Sequence, residues 1–172
     1  MDIARLAERL TIGGLFIGHG TQKLFGWFGG PGLDGTEQMM RSLKLYPPRQ
    51  QAVVAGVVEA GAGALVVAGL GTPLATSALI GVMTTAIKDA HWSDGLWNTK
   101  GGYEYNLALI AALATLAQDG PGAFSLDRAL GTERRGPWWA VGAVAVGAAG
   151  AFVTTKVGRR LAAKAEAEAR RG

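Results

Sequence analysis

The chain has no cysteine among its 172 residues. That absence excludes disulfide exchange, cysteine-held iron–sulfur clusters and thiolate metal sites. Any redox role then rests on histidine, carboxylate or a borrowed cofactor. Histidine is itself scarce, since His19 and His91 are the two present. No Glu-x-x-His motif accompanies them, which argues against a dinuclear carboxylate centre and leaves no metal site to expect. Charge is the third shortage: 17% of residues are Asp, Glu, Lys or Arg, against about a quarter in a soluble domain. The few charges concentrate in short loops and in the tail after Lys156. The net charge of +4 comes largely from that tail, so nucleic acid is a poor partner and anionic lipid a better one.

What the chain has instead is long apolar runs, with 49% hydrophobic residues and 27 glycines. This pattern predicts an integral membrane protein. No cleavable signal peptide is expected, because the first apolar segment runs straight into Lys23 and Trp27 without a small-residue cleavage site. The first helix is expected over residues 3–25, with Gly14 and Gly18 as a GxxxG packing pair. An amphipathic interfacial helix is predicted over 36–45, capped by Asp34 with Glu37 three residues on and carrying Met39, Met40 and Leu43 on its apolar face. Further spans are predicted over 49–70, 72–91 and 103–117. Residues 138–155 form a fifth uncharged run just long enough to cross.

Because helices alternate direction, the end of the first span and the starts or ends of the next three share one membrane face. Trp27, Phe28, Trp92, Trp97, Tyr103 and Tyr105 fall there, as an aromatic belt would. So do His19, Gln22, Lys23, Lys88, Asp89, His91 and Glu104, while the opposite face is expected to receive almost no polar side chains. Glu59 lies ten residues into its span, roughly 15 Å along the axis. A carboxylate at that depth must be paired, protonated or wetted. Trp27, Trp92 and Trp97 are sufficiently explained as a belt, and Lys23, Lys88 and Asp89 divide evenly between a site and snorkelling anchors. His19 and Glu59 could equally be a structural lock between helices.

Four separated blocks resemble the DoxX family of small membrane proteins: HGTQKLFGWFGGPGLDGT, AGVVEAGAGALVVAGLGTPLA, MTTAIKDAH followed by GLWNTKGGYEY, and GPGAFSLD. The resemblance covers about residues 10–130. It implies an all-α protein, an integral membrane four-helix bundle. To this the sequence adds a fifth C-terminal transmembrane helix and the short interfacial helix after the first span. The expected division is a DoxX-like bundle over 1–132, an additional helix over 133–157 and a basic cytoplasmic tail over 158–172. The family's polar signature corresponds to His19, Lys23, Glu59, His91, Glu104 and Tyr105, and Pro73 stands where an arginine is common. Members are associated with quinol oxidases and membrane redox complexes.

The first functional expectation is therefore a membrane subunit of a quinone-linked redox complex, an oxidoreductase component if it is an enzyme. The candidate cluster is His19, Gln22, Lys23, Glu59, Lys88, His91, Glu104 and Tyr105, with His19, Glu59 and His91 as the candidate cofactor-binding residues. These types supply hydrogen-bond donors to quinone carbonyls and a group to carry a proton. Haem is disfavoured, because His91 sits near the surface and His19 deeper. The alternatives are a small-solute permeation protein with the cluster as a polar gate, and a non-catalytic scaffold. Expected partners are the bilayer, other redox-complex subunits or a homo-oligomer.

Orientation follows from basic residues. With five spans, Lys23, Arg41, Lys44, Arg49, Lys88 and Lys100 join the tail's Lys156, Arg159, Arg160, Lys164, Arg170 and Arg171 on one face, against Arg5, Arg9, Arg128, Arg134 and Arg135 on the other. The positive-inside rule puts the tail and the cluster in the cytoplasm. Should the fifth segment not cross, the tail stays inside and the cluster moves to the outer face.

Overall fold

The computed structural model describes residues 2–170, and among them every regular element is helical. The α-helices are α1 (Asp2–Phe25), α2 (Gly32–Ser42), α3 (Pro48–Ala68), α4 (Thr72–Ala86), α5 (Glu104–Asp119), α6 (Leu126–Ala129) and α7 (Pro137–Ala169). Proline opens three of them within the first two positions, where its fixed φ suits the helix and its missing N–H is not needed. Gly69, at φ 64°, closes α3 in the left-handed conformation, and Gly71 at φ 57° starts α4 two residues later. This tight reversal makes α3 and α4 antiparallel neighbours.

The core gathers Phe16 from α1, Val66 from α3, Leu79 and Ile80 from α4, Leu113 and Leu116 from α5, and Ala143 from α7. Large apolar side chains also point outward along the helices, among them Leu10, Val57, Leu74, Leu107, Val146 and Phe152. Against lipid, such a bundle gains little from apolar burial, so close backbone packing must hold it together. Glycine provides that contact. A Cβ on Gly20 would lie 2.5 Å from the Ala60 nitrogen, and one on Gly13 would lie 2.6 Å from the Gly63 carbonyl. The expected pair Gly14 and Gly18 is not part of this contact, since a Cβ on either would meet no atom of another helix within 4 Å among the described residues. A helix turns about 100° per residue, so Gly13 and Gly20 share the stripe facing α3 while Gly14 and Gly18 look outward.

The interfacial helix starts earlier than expected and is not capped by Asp34, whose carboxylate instead accepts a hydrogen bond from Arg49 at 3.1 Å. Arg49 also donates to Glu37 at 3.0 Å, so ion pairing to α3 has taken both carboxylates of the expected capping box. Met40 is buried with Leu33 and Leu43 packed beside it, whereas Met39 is exposed. The third span keeps α geometry only to Ala86 and finishes in a π-helical turn, Ile87–His91.

The fifth segment differs most. It continues without a break at residue 157 to Ala169, giving 33 residues, roughly 50 Å at 1.5 Å per residue, against an apolar membrane thickness of about 30 Å. The expected tail is an Ala-, Arg- and Glu-rich run of strong helix formers, which explains the continuation. Residues 171 and 172 lie outside the described residues. Helix α7 runs beside α4 in the same direction, with Gly147 against the Ser77 carbonyl and Thr155 bonded to Asp89. Among the described residues two helices, α3 and α7, are each long and apolar enough to cross a membrane unaided.

Candidate functional site

The end of the bundle reached by Phe25, His91 and the second half of α7 holds the sequence-predicted residues, distributed over separate networks. On α1 and α3, the Lys23 ammonium donates to the Glu59 carboxylate at 2.6 Å. Glu59 is 2% exposed, and the pair answers the question its depth raised, because a buried carboxylate is tolerable when a cation meets it. His19 lies one turn before Lys23 on the same face of α1, half-buried, with no hydrogen bond among the described residues. Gln22 reaches the Phe28 carbonyl at 3.5 Å, the outer limit of a hydrogen bond.

A second network joins the π turn to α7. The Asp89 carboxylate accepts from Lys88 at 3.0 Å, Arg159 at 2.8 Å and the Thr155 hydroxyl at 2.8 Å. The Lys88 ammonium also sits 5.5 Å from the centre of the Phe152 ring, a cation–π distance. A π turn inserts one extra residue into the helix and re-aims those around it, and such turns recur at functional sites. Here it directs Lys88 and Asp89 to α7 while His91 turns to the loop. His91 Nδ1 lies 2.7 Å from the Gly101 carbonyl, so that nitrogen carries the proton and donates. Trp92 stacks on Tyr103 with ring centres 5.5 Å apart. Gly102 is enclosed by the backbone of Gly95 and Leu96, where no side chain fits. Glu104 and Tyr105 open α5, Glu104 partly buried and Tyr105 exposed. No bond joins the Lys23 pair to Asp89, His91 or Glu104 among the described residues.

The opposite end is not the apolar face that was expected. Arg9 is 2% exposed. Its guanidinium donates to the carbonyls of Val66 at 3.0 Å, Val67 at 2.7 Å, Pro121 at 2.7 Å and Phe124 at 2.8 Å. Helix ends leave carbonyls unpaired and carry partial negative charge, so a buried arginine fork suits the end of α3. Asp127 complements it, accepting from the N–H groups of Gly71 and Thr72 at 3.0 Å each and from the Thr72 and Thr132 hydroxyls at 2.9 Å each. Burial alone would raise the Asp127 pKa, but these four donors outweigh it and hold the carboxyl below its usual range. Outside the membrane on the cluster side, hydrogen bonds from Arg41 and Arg49 similarly hold Glu37 low.

The sequence contained a signal for this clamp: Arg9, the charge nearest the apolar centre of α1, at the same end as a Gly-Leu-Gly turn with no charge of its own. Aromatic residues also mark both ends, with Trp138 and Trp139 exposed beside Gly136, so a second aromatic belt stands opposite the one expected from the sequence.

A helical bundle that turns apolar side chains outward along its length, bands both ends with aromatics and keeps its charges paired inside is an integral membrane protein. The chain belongs to the DoxX family: the DoxX family model matches residues 4–92. The "Inner membrane protein YphA" of Escherichia coli (strain K12) is 34% identical over 128 residues, which is 72% of this chain and 87% of that protein. No solved structure matches. The family match spans α1 to the π turn and so includes His19, Gln22, Lys23, Glu59, Lys88 and His91, with Glu104 and Tyr105 beyond it.

Proposed function

We propose that the protein is a membrane subunit of a quinone-linked redox complex in which Lys23 and Glu59, with His19 one turn away, form a proton-handling site. The carrying observation is the 2.6 Å contact between Lys23 and a Glu59 that is almost wholly buried. Lysine has three donors, and Glu59 accounts for one of them among the described hydrogen bonds. The His19 ring adds nitrogens that no described residue engages. These groups fit a quinone head, which needs donors to its carbonyls and a nearby acid or base. When bound, the quinone would supply two-electron chemistry coupled to protons. Lys23 would orient and polarise a carbonyl oxygen, Glu59 would hold or release a proton, and His19 would pass it toward the aromatic-rich end. An electron donor would come from a partner subunit.

Purification in mild detergent, solvent extraction and quantification of bound quinone test the reading. Wild-type protein is expected to retain quinone, and Lys23→Met to lose it while remaining folded. Wild type without quinone, or equal retention by the variant, refutes it. One observation favours a second reading as a non-catalytic assembly subunit: neither of the two cavities described below is lined by His19, Glu59, His91 or Glu104. That reading expects no quinone and a co-purifying partner lost with the cluster substitutions.

We further propose that the cluster end and the end of α7 are cytoplasmic, with the membrane boundary between the uncharged part of α7 and its charged continuation. The course of α7 beside α4 and the basic residues at that end support this orientation. A reporter fused to the C-terminus and another inserted at Gly95 should both read cytoplasmic, and an external signal from either overturns it.

A further inference from the structure

Two cavities lie away from the candidate site, and they join at Leu45, which lines both. The first, about 430 Å³, is an outward-facing groove floored by α4 and walled by α3 and α7. Its floor runs from Leu74 to Thr85 and the surface it presents is almost wholly apolar. The eleven helical steps from Leu74 to Thr85 correspond to roughly 16 Å, close to the ~15 Å that half of a ~30 Å apolar layer represents. Gln51, Thr85 and Thr154 stand on its lining toward the cluster end, where the apolar layer gives way to polar headgroups.

The second cavity, about 330 Å³, continues beyond that rim and adds charged side chains to an otherwise apolar lining. Arg41, Lys44 and Tyr46 form one side, and alanines of α7 with Glu166 form the other. Lys44 is held at φ 56° after the last turn of α2, a conformation usually left to glycine. It makes no ion pair among the described residues, whereas Arg41 already engages Glu37. A leaflet-deep apolar groove that ends in a basic, hydrogen-bonding pocket matches the two halves of a lipid. We propose that the groove and the pocket together bind one anionic phospholipid, with an acyl chain lying along α4 and the phosphate against Lys44 and Arg41. Glu166 on the far wall disfavours a doubly charged free phosphate and suits a singly charged phosphodiester whose headgroup carries a hydroxyl. Gly150 helps form the groove wall because it has no side chain, and a Cβ there would meet no atom within 4 Å.

The test uses the full chain, delipidated in detergent and titrated with phosphatidylglycerol or with phosphatidylcholine of the same acyl chains. Bound lipid is counted by native mass spectrometry and stabilisation by thermal unfolding. Wild type is expected to prefer phosphatidylglycerol by about fivefold for each basic residue engaged, with the preference shrinking as salt rises. Arg41→Gln combined with Lys44→Gln should erase the preference while phosphatidylcholine still binds. Gly150→Leu, which fills the groove, should lower retention of both lipids. The double variant lies on an exposed end and keeps the proposal testable even if Gly150→Leu fails to fold. Any of four results overturns it: equal retention of the two lipids by wild type, an unchanged preference in the double variant, folded Gly150→Leu protein with wild-type retention, or the same stabilisation from inorganic phosphate. A second copy of the chain seated in the groove, with no lipid bound, overturns it as well.

Discussion

Replacing Arg9 by methionine keeps the unbranched apolar stem of the side chain and removes its donors. Four carbonyls lose a partner, but Val66 keeps the Gly69 N–H at 3.0 Å, so the carbonyls of Val67, Pro121 and Phe124 bear the loss. An unsatisfied buried acceptor costs about 1–3 kcal/mol. Taking the lower end, because two of these bonds are only partly buried, the expected destabilisation is about 3 kcal/mol. For a chain of this size that corresponds to a fall of roughly 6–12 °C in thermal midpoint. Arg9→Lys keeps the charge but presents a single ammonium, which cannot span carbonyls on α3 and on the 121–124 loop as a planar fork does. It should recover less than half of the loss. Intrinsic tryptophan fluorescence during heating in detergent measures both variants. Arg9→Met within about 0.5 kcal/mol of wild type, the range of an uninvolved surface change, would refute the clamp. A wild-type Arg9→Lys would show that charge rather than fork geometry matters.

Asp127 makes the same end sensitive to acid. Its folded pKa lies below the unfolded value of about 3.9, so its stabilisation is complete above that value and is lost as pH falls through the folded one. Thermal midpoints between pH 3 and 7 should therefore decline on the acid side in wild type and flatten in Asp127→Asn, and parallel curves would contradict this. At the other end, Glu59→Leu strands Lys23 and should cost about 3–5 kcal/mol, while Glu59→Leu with Lys23→Met should regain most of it. A double variant no better than the single would mean that the two residues are not coupled. Gly20→Ala should destabilise by about 1–3 kcal/mol through overpacking against Ala60. Gly14→Ala, facing open space, should be neutral or stabilising by up to about 1 kcal/mol, and the reverse order in unfolding measurements would refute the assigned α1–α3 contact.

The five long helices, their order and the turn between α3 and α4 were legible from apolar run length, proline at helix starts and glycine at helix ends, whereas α6 and the charged continuation of α7 were not. These are local properties. Lys23 and Glu59 were also legible as unusual, because a charge at that depth is conspicuous in any register. Their pairing depended on the direction in which α1 and α3 face one another. The glycine contact shows the same limit, since Gly13 and Gly14 differ by one residue and about 100° of rotation, which no composition rule resolves. Most was hidden where a partner lies far along the chain. Arg9 meets carbonyls more than fifty and more than one hundred residues away, Asp127 caps a turn fifty-five residues before it, and Asp89 meets α7 seventy residues on. The sequence by itself determined a membrane-embedded, cysteine-free helical chain with charge at odds with its surroundings. Only the tertiary structure decided which opposite charge or carbonyl relieves each one, because that choice is made by helix rotation and long-range packing rather than by neighbours in sequence.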